Sequence, residues 1–448
     1  MNGSARMRAG FLAGAALYAL GQGCTLLFQW LLLRQFGMHG YGVVGLAHLG
    51  LLTVLFLADL GYASLFLRED PASAGWAVRW RQALWHRLLA TLVLDLAWVA
   101  GAWWQWHGQG AGFAYLLAVL PATLLGLVGY SAPLLAQGRR LAGFCVQQVA
   151  MPVAIVAWLA LRDQPGWEGG MGAGMAVSLG YLVQAIANMA VFGAQPGLLR
   201  PALNGGGPML GAALRLSALG ITGTLHDRLT PFLLASVAPA FLPVYLFLGY
   251  LVNGASGVFN QFNRLLLADA RNDPAARWTR ALVSLVLGLS ALGAQLLLLA
   301  VAAWGTPAQQ VWLPWAMPVL AAGAVVLFSG VLSAQLIGRH RESALLRILV
   351  CGLVCSALLQ LAAAAWPAPL MLLWGRLLCV LGIAVACLRL CGLRLRAGGH
   401  AALLSMLLAA APWLGTAGWL LAAALLVPAA WGAWRHRSLL RPAAEAAA

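Results

Sequence analysis

"GVVGLAHLGLLTVLFLADLGYASLFLRED", residues 42 to 70, runs for twenty-six residues before Arg68 with only His48 and Asp59 as charged or titratable side chains. An α-helix rising about 1.5 Å per residue needs about 20 apolar residues to cross about 30 Å of hydrocarbon. The stretch therefore reads as a transmembrane helix, closed at the interface by Arg68, Glu69 and Asp70. Composition extends the reading to the whole chain, which has 448 residues, 62% hydrophobic and 8% charged, with a mean hydropathy of +0.85. Apolar side chains at that density exceed what a soluble core can use, and they recur in blocks of about 18 to 25 residues. The expected fold class is all-α, a polytopic membrane protein. The first apolar segment, 10 to 33, continues without a small-residue cleavage site, so it is expected to stay as a span rather than act as a signal peptide.

Breaks at arginine, glycine and proline place spans near 10–33, 42–67, 88–106, 112–135, 143–161, 171–192, 214–237, 241–265, 281–303, 314–337, 345–365 and 369–389. The net charge of +16 then resolves into topology. Every basic residue is arginine; twenty-three lie at the N-terminus, the C-terminus and alternate loops, while the opposite side holds only Arg34 and Arg162. By the positive-inside rule both termini are expected in the cytoplasm, and the charge does not call for nucleic acid. Residues 401–434 lie between two cytoplasmic arginine groups, so they cross twice at about 17 residues per span or form a re-entrant hairpin. Fourteen spans are favoured over twelve.

The chain repeats at long range. "LLAQGRRLAGF" (134–144) follows the fourth span and "LSAQLIGRHRESAL" (332–345) the tenth, with Gly138 and Gly338 at an offset of 200; Tyr41 and Tyr245, opening the second and eighth spans, differ by 204. An even number of spans separates the copies, so the halves are expected to be parallel repeats, as in transporters built around an axis along the membrane normal. The domains follow: an N-lobe at 1–193 with helices 1–6, a Pro/Gly-rich linker at 194–213, a C-lobe at 214–390 with helices 7–12, and a hairpin 13–14 with a tail at 391–448.

Polar residues within the spans fall on faces, since residues three and four apart share one side of a helix. The first span carries Tyr18, Gln22, Thr25 and Gln29; the second, His48 and Asp59; the seventh, Ser217, Thr224 and Arg228; the eighth, Asn253, Asn260 and Arg264. Such stripes serve as interhelical hydrogen bonds or line a wet cavity between lobes. Four stripes on repeat-related helices favour the central cavity. The seventh span is also unusual for "LHDRLTPFLL" (225–234), which sets His226, Asp227 and Arg228 side by side. Neighbours on a helix point about 100° apart, so Asp227 and Arg228 serve different surfaces. Arg228 is expected to face the cavity, and Asp227 a neighbouring helix or the cavity edge, toward Arg376 of the twelfth span. Asp59 and Asp95 are expected about one to two turns from interfacial Arg68 and Arg87.

Residues 36–70, with Gly-Tyr-Gly at the outer end, Asp59-Leu60-Gly61 near the inner end and a closing arginine, resemble the second helix of polysaccharide (O-antigen) flippases of the multidrug/oligosaccharidyl-lipid/polysaccharide exporter superfamily. Residues 225–271 are similar to the seventh and eighth helices of those proteins, matching at Asp227 and Tyr245, and the Gln-Gly-Arg-Arg and Gly-Arg-His-Arg loops fit as well. The resemblance implies two six-helix lobes around a cavity with alternating access, in a bacterial inner membrane. It implies as cargo an oligosaccharide linked to polyprenyl pyrophosphate of the undecaprenyl type, with membrane lipids and other polysaccharide-assembly proteins as partners. On chemical grounds Arg228, Arg264 and Arg376 are the expected anion ligands, because guanidinium suits bidentate phosphate contact. Asp59, Asp95 and Asp227 are the candidates for ion coupling. The first-helix stripe is uncharged, unlike that of lipid II flippases, which makes a peptidoglycan precursor the poorer cargo.

Competing classes are a drug or small-molecule exporter of the same superfamily, which would favour buried carboxylates, and a polysaccharide polymerase or ligase, which would need a catalytic outer segment. The outer loops are short, the longest lying around "RDQPGWEGG" (162–170). The seven cysteines form no Cys-x-x-Cys pattern, and no phosphate-loop or dinucleotide fingerprint occurs in a suitable context, so neither metal, cofactor nor enzymatic activity is expected.

Overall fold

The computed structural model describes residues 3–167, 169–269, 277–366, 369–411 and 415–434. Among these the chain is helical, with no strand, and eight helices are long and apolar enough to cross a membrane. Four shorter apolar helices accompany them, at Gly110–Leu125, Leu242–Ser256, Ala397–Ala410 and Ala417–Gly432. The protein is an all-α polytopic membrane protein.

Helix α1 (Gly3–Ala58) contains 56 residues, and Gly37 breaks it with a left-handed φ of 65°. An unbroken helix of that length would reach about 84 Å, nearly three hydrocarbon thicknesses. Its two limbs are the first and second spans. With α1 counted as two and the charged α9 (Gly207–Val237) added, the described residues offer fourteen helices for crossing. The tail consists of α16 (Ala397–Ala410) and α17 (Gly415–Trp434), which pack together where Gly398 meets Gly432: a Cβ built on Gly398 would stand 2.8 Å from the Gly432 Cα.

The chain forms two compact units, Met1–Thr224 and Leu225–Ala448, so the division falls inside α9. In the first unit, α4 (Gly110–Leu125) lies against α8 (Gly170–Phe192) along a stripe of small residues. A Cβ on Gly174 would come within 2.6 Å of the Tyr115 carbonyl oxygen, and one turn on, Ser178 Oγ donates to the Ala118 carbonyl at 2.7 Å. Without a hydrophobic force between helices in lipid, such close backbone approach supplies much of the adhesion.

Helix α3 (Trp76–Trp106) starts well before the expected 88. Trp76 and Trp80 stack with ring centroids 5.3 Å apart, Trp80 stacks on Tyr130 at 4.7 Å, and Tyr130 on Phe192 at 4.7 Å. This aromatic cluster gives the first turns of the helix a buried face, so much of the expected 68–87 loop is helical and Arg87 is only 8% exposed. The second span also ends early. Leu60 and Gly61 adopt φ of 53° and 88°, and the chain restarts as the one-turn helix α2 (Tyr62–Phe66).

In the second unit, α13 (Leu313–Gly338) is the central element, packed against α10 (Leu242–Asp269), α11 (Arg277–Trp304), α15 (Leu370–Cys391) and α16. Helix α14 (Glu342–Ala365) packs on α15.

Turn geometry recurs between the halves. Gly138 N–H donates to the Leu135 carbonyl and Arg139 N–H to Leu134; His340 N–H donates to Ile337 and Arg341 N–H to Leu336. Both turns pivot on a left-handed residue, Gly138 at φ 75° and His340 at φ 56°. The structural counterpart of Gly138 is thus His340, two residues beyond the Gly338 that letter matching favours. The sixth and twelfth spans likewise end alike, with Ala194 N–H donating to Met189 and Leu393 N–H to Leu388 after left-handed Gly193 and Gly392.

Candidate functional site

Among the described residues, charged side chains inside the membrane helices gather in two places, one in each unit. In the second unit, Asp227 leaves α9 toward α15, where its Oδ1 accepts from Arg376 Nη2 at 2.9 Å. Arg376 Nη1 also donates to the Tyr245 hydroxyl, and the guanidinium stands 5.7 Å from the Tyr245 ring centroid. The sequence placed Asp227 toward Arg376, and the contact is present. Arg376, also expected as an anion ligand, therefore has its charge matched by Asp227.

Arg228 is in a different position. One residue on, it projects about 100° away around the helix, as adjacent helical residues must. Its Nε is buried and makes no hydrogen bond. The group thus holds two guanidinium cations and one carboxylate. His226, 6% exposed, lies with Nδ1 4.0 Å from Asp227 Oδ1, and its buried Nε2 has no hydrogen-bond partner. A turn away, the Thr230 hydroxyl donates to Gln360 Oε1 at 2.8 Å, and Gln360 in turn donates to Ser356, fixing α9 against α14.

In the first unit, Asp59 sits at the break that ends the second span. Its Oδ2 accepts from the Ala63 N–H at 3.0 Å, holding the restart of the chain at α2, and its Oδ1 lies 3.6 Å from Arg87 Nε. Arg87 Nη1 also donates to the Leu127 carbonyl at 3.2 Å. Beside them a 2.6 Å hydrogen bond joins the Tyr62 hydroxyl to His86 Nδ1. Gly61 is required at this break, since a Cβ would stand 2.3 Å from the Ala213 carbonyl oxygen, and Ser217 Oγ donates to the neighbouring Leu60 carbonyl at 3.2 Å. Asp95, two turns along α3 from Arg87, shares a 2.7 Å hydrogen bond with the Thr123 hydroxyl.

Two residues expected in the cavity lining are instead in the packed interior. Gln29 and His48 are 0% exposed. Tyr41 donates to Gln29 Oε1 at 3.1 Å, and a 2.6 Å hydrogen bond joins His48 Nδ1 to the Tyr115 hydroxyl. A buried polar group without a partner is costly, and here tyrosines supply the partners. Thr25 donates back to the Gly21 carbonyl, while Tyr18, Gln22 and Thr224 are half-buried and Asn253 is exposed. The side chains of Asn260 and Arg264 lie outside the described residues.

Sequence reading did not find Tyr115, Thr123 or His86. The first two carried a signal, being the polar members of an otherwise apolar span.

No protein-family model and no curated protein matches the chain at the level of sequence. Solved structures do match. The chain is similar to the lipid II flippase MurJ in its inward closed conformation (TM-score 0.61, 8% identity, covering 97% of this chain and 99% of that one). It is similar to an inward-facing multidrug resistance MATE family transporter of the MOP superfamily (0.60, 13%, 84% and 92%), and to the eukaryotic MATE transporter AtDTX14 (0.56, 14%, 88% and 97%). The chain has the fold of MOP superfamily transporters.

Proposed function

We propose that the protein is a flippase that carries a polyprenyl-pyrophosphate-linked oligosaccharide from the cytoplasmic to the outer leaflet by alternating access. The observation that carries the reading is the charge balance of the α9 group: Asp227 is matched by Arg376, which leaves the cation of Arg228 unmatched, its Nε buried and unbonded. A buried cation in excess is stabilised by an anion, and guanidinium binds a pyrophosphate through paired N–H donors. Arg264 and the polar residues Asn253 and Asn260 of the same unit are the remaining proposed contacts, for phosphate and sugar hydroxyls respectively. An exporter of cationic drugs would need an unmatched carboxylate at this site, and here Asp227 is matched by Arg376. The likeness to a lipid II flippase and to multidrug transporters alike supports a transporter of this superfamily.

The test is leaflet transfer of a fluorescent polyprenyl-pyrophosphate oligosaccharide in proteoliposomes. A charge-assisted hydrogen bond contributes about 1.5 to 3 kcal/mol, so Arg228→Gln should slow transfer roughly 10- to 150-fold, with Arg228→Lys less impaired. Transfer by Arg228→Gln at the native rate, or transport of cationic dyes with no transfer of the lipid, refutes the proposal.

A further inference from the structure

We infer that Asp95 is a proton-binding site, held as the neutral acid by Thr123, and that its proton is the one exchanged during transport; the second half of this rests on the flippase reading and the first does not. At 1.5 Å per residue Asp95 lies roughly 28 Å along α3 from Trp76 and about 16 Å from Trp106, which places it within the hydrocarbon depth of a single crossing. Its flanks face lipid, with Leu92, Val93 and Leu96 exposed by 50%, 66% and 72%.

The hydrogen count favours the neutral acid. Thr123 Oγ1 lies 2.7 Å from Asp95 Oδ2 and also 2.7 Å from the Leu120 carbonyl oxygen. A hydroxyl has one hydrogen and cannot donate fully to both acceptors. Both contacts are satisfied if Asp95 Oδ2 carries the proton and donates to Thr123, which then donates to Leu120. Oδ1 is buried with no hydrogen-bond partner, a position that a neutral carbonyl tolerates far better than half of an anion.

The surroundings contain no compensating cation among the described residues. On α3 itself, Arg87 is committed to Asp59 and the Leu127 carbonyl, while His86 is hydrogen-bonded to Tyr62. Helix α4 has one titratable side chain, Tyr115, and α1 contributes His48; these two are bonded to each other. Tyr41 of α1 is bonded to Gln29, Arg34 stands 5.5 Å over the Trp30 ring, and His39 lies near the Gly37 break. Arg79, Arg81 and His107 belong to the two ends of α3, and the short Pro196–Leu199 helix packed on α3 carries no charge. Of the three intramembrane carboxylates considered for coupling, Asp59 and Asp227 have arginine partners and Asp95 does not. Deprotonation would turn the Thr123 hydroxyl from Leu120 to Asp95, so the proton's presence is recorded in the contact between α3 and α4.

Infrared spectra of the reconstituted full chain, with no cargo present, test the first half. The native protein should show a C=O stretch of a neutral carboxyl that shifts in heavy water, disappears in Asp95→Asn, remains in Asp59→Asn and Asp227→Asn, and moves in Thr123→Val. A native protein without the band, or a band that survives Asp95→Asn, overturns the site. For the second half, transfer of the lipid-linked oligosaccharide should depend on an imposed pH gradient in the native protein and lose that dependence in Asp95→Asn, with Asp95→Glu retaining it. Undiminished pH dependence in Asp95→Asn overturns the coupling role. Absence of any lipid transfer by the native protein instead defeats the flippase reading and leaves the infrared result standing.

Discussion

Cutting the link between Asp227 and Arg376 from each end, and then from both, measures what this membrane ion pair contributes. Asp227 is 40% exposed on its side chain and Arg376 14%, with Nη2 and Oδ1 at 2.9 Å. Removing one partner from a fully buried pair costs about 3 to 5 kcal/mol, and an exposed pair contributes about 0 to 1. The half-exposed carboxylate places this pair between those limits, so Arg376→Met should cost about 2 kcal/mol by leaving Asp227 without its cation. Asp227→Asn should cost somewhat less, because Arg376 keeps its contact with Tyr245. The double variant removes both charges, and its loss should fall short of the summed single losses by about 1 to 2 kcal/mol, the coupling expected of side chains in contact. Equilibrium unfolding in mixed micelles gives the three values. Additivity within about 0.5 kcal/mol refutes the pairing. Lipid transfer retained by the double variant, with transfer lost in either single variant, would further show that Asp227 acts as the partner of Arg376 and not as the coupling carboxylate.

Gly61→Ala should lower the thermal midpoint and the yield of folded protein, since a left-handed residue with a Cβ costs about 1 to 2 kcal/mol before the clash with the Ala213 carbonyl is counted; an unchanged midpoint would show that the break at Asp59-Leu60-Gly61 tolerates a straighter chain. Tyr115→Phe removes the hydrogen-bond partner of buried His48 and should cost about 1 to 3 kcal/mol, with His48→Phe/Tyr115→Phe losing clearly less than the two single losses added together; a double loss equal to that sum would disprove the pairing.

The legible part of the fold lay in the length of apolar runs and the placement of arginine. Both are consequences of moving charge through hydrocarbon, so they survive in the sequence whatever the helices pack against. The contact of Asp227 with Arg376 was legible for the same reason: each is expensive alone, and each is the conspicuous charge of its own apolar span. What escaped was set by partners distant in sequence. Arg87 looks interfacial until Trp76, Trp80, Tyr130 and Phe192 are stacked, because only that cluster extends α3 past it. Gln29 and His48 share the spacing of cavity residues and of buried hydrogen-bonding residues, and the tyrosines that decide between the two come from residues 41 and 115. A recurring turn was visible, but matching letters paired Gly138 with Gly338, whereas the same turn geometry is found at His340, which reaches a left-handed φ without being glycine.

Three carboxylates on three helices illustrate how one chemical group takes different roles in lipid. Asp59 spends one oxygen on a backbone N–H and the other on Arg87, which makes it part of the joint that ends the second span. Asp227 faces a guanidinium that a tyrosine also holds, so its charge is fixed in place and its net effect is to let Arg376 reside in α15. Neither can lose its charge without stranding an arginine. Asp95 has only a hydroxyl to bond to, and a hydroxyl accepts a proton's hydrogen bond as readily as it donates one. Where protonation changes no ion pair, it can change during a working cycle without dismantling the fold, and this separates a carboxylate able to exchange protons from two that hold helices together.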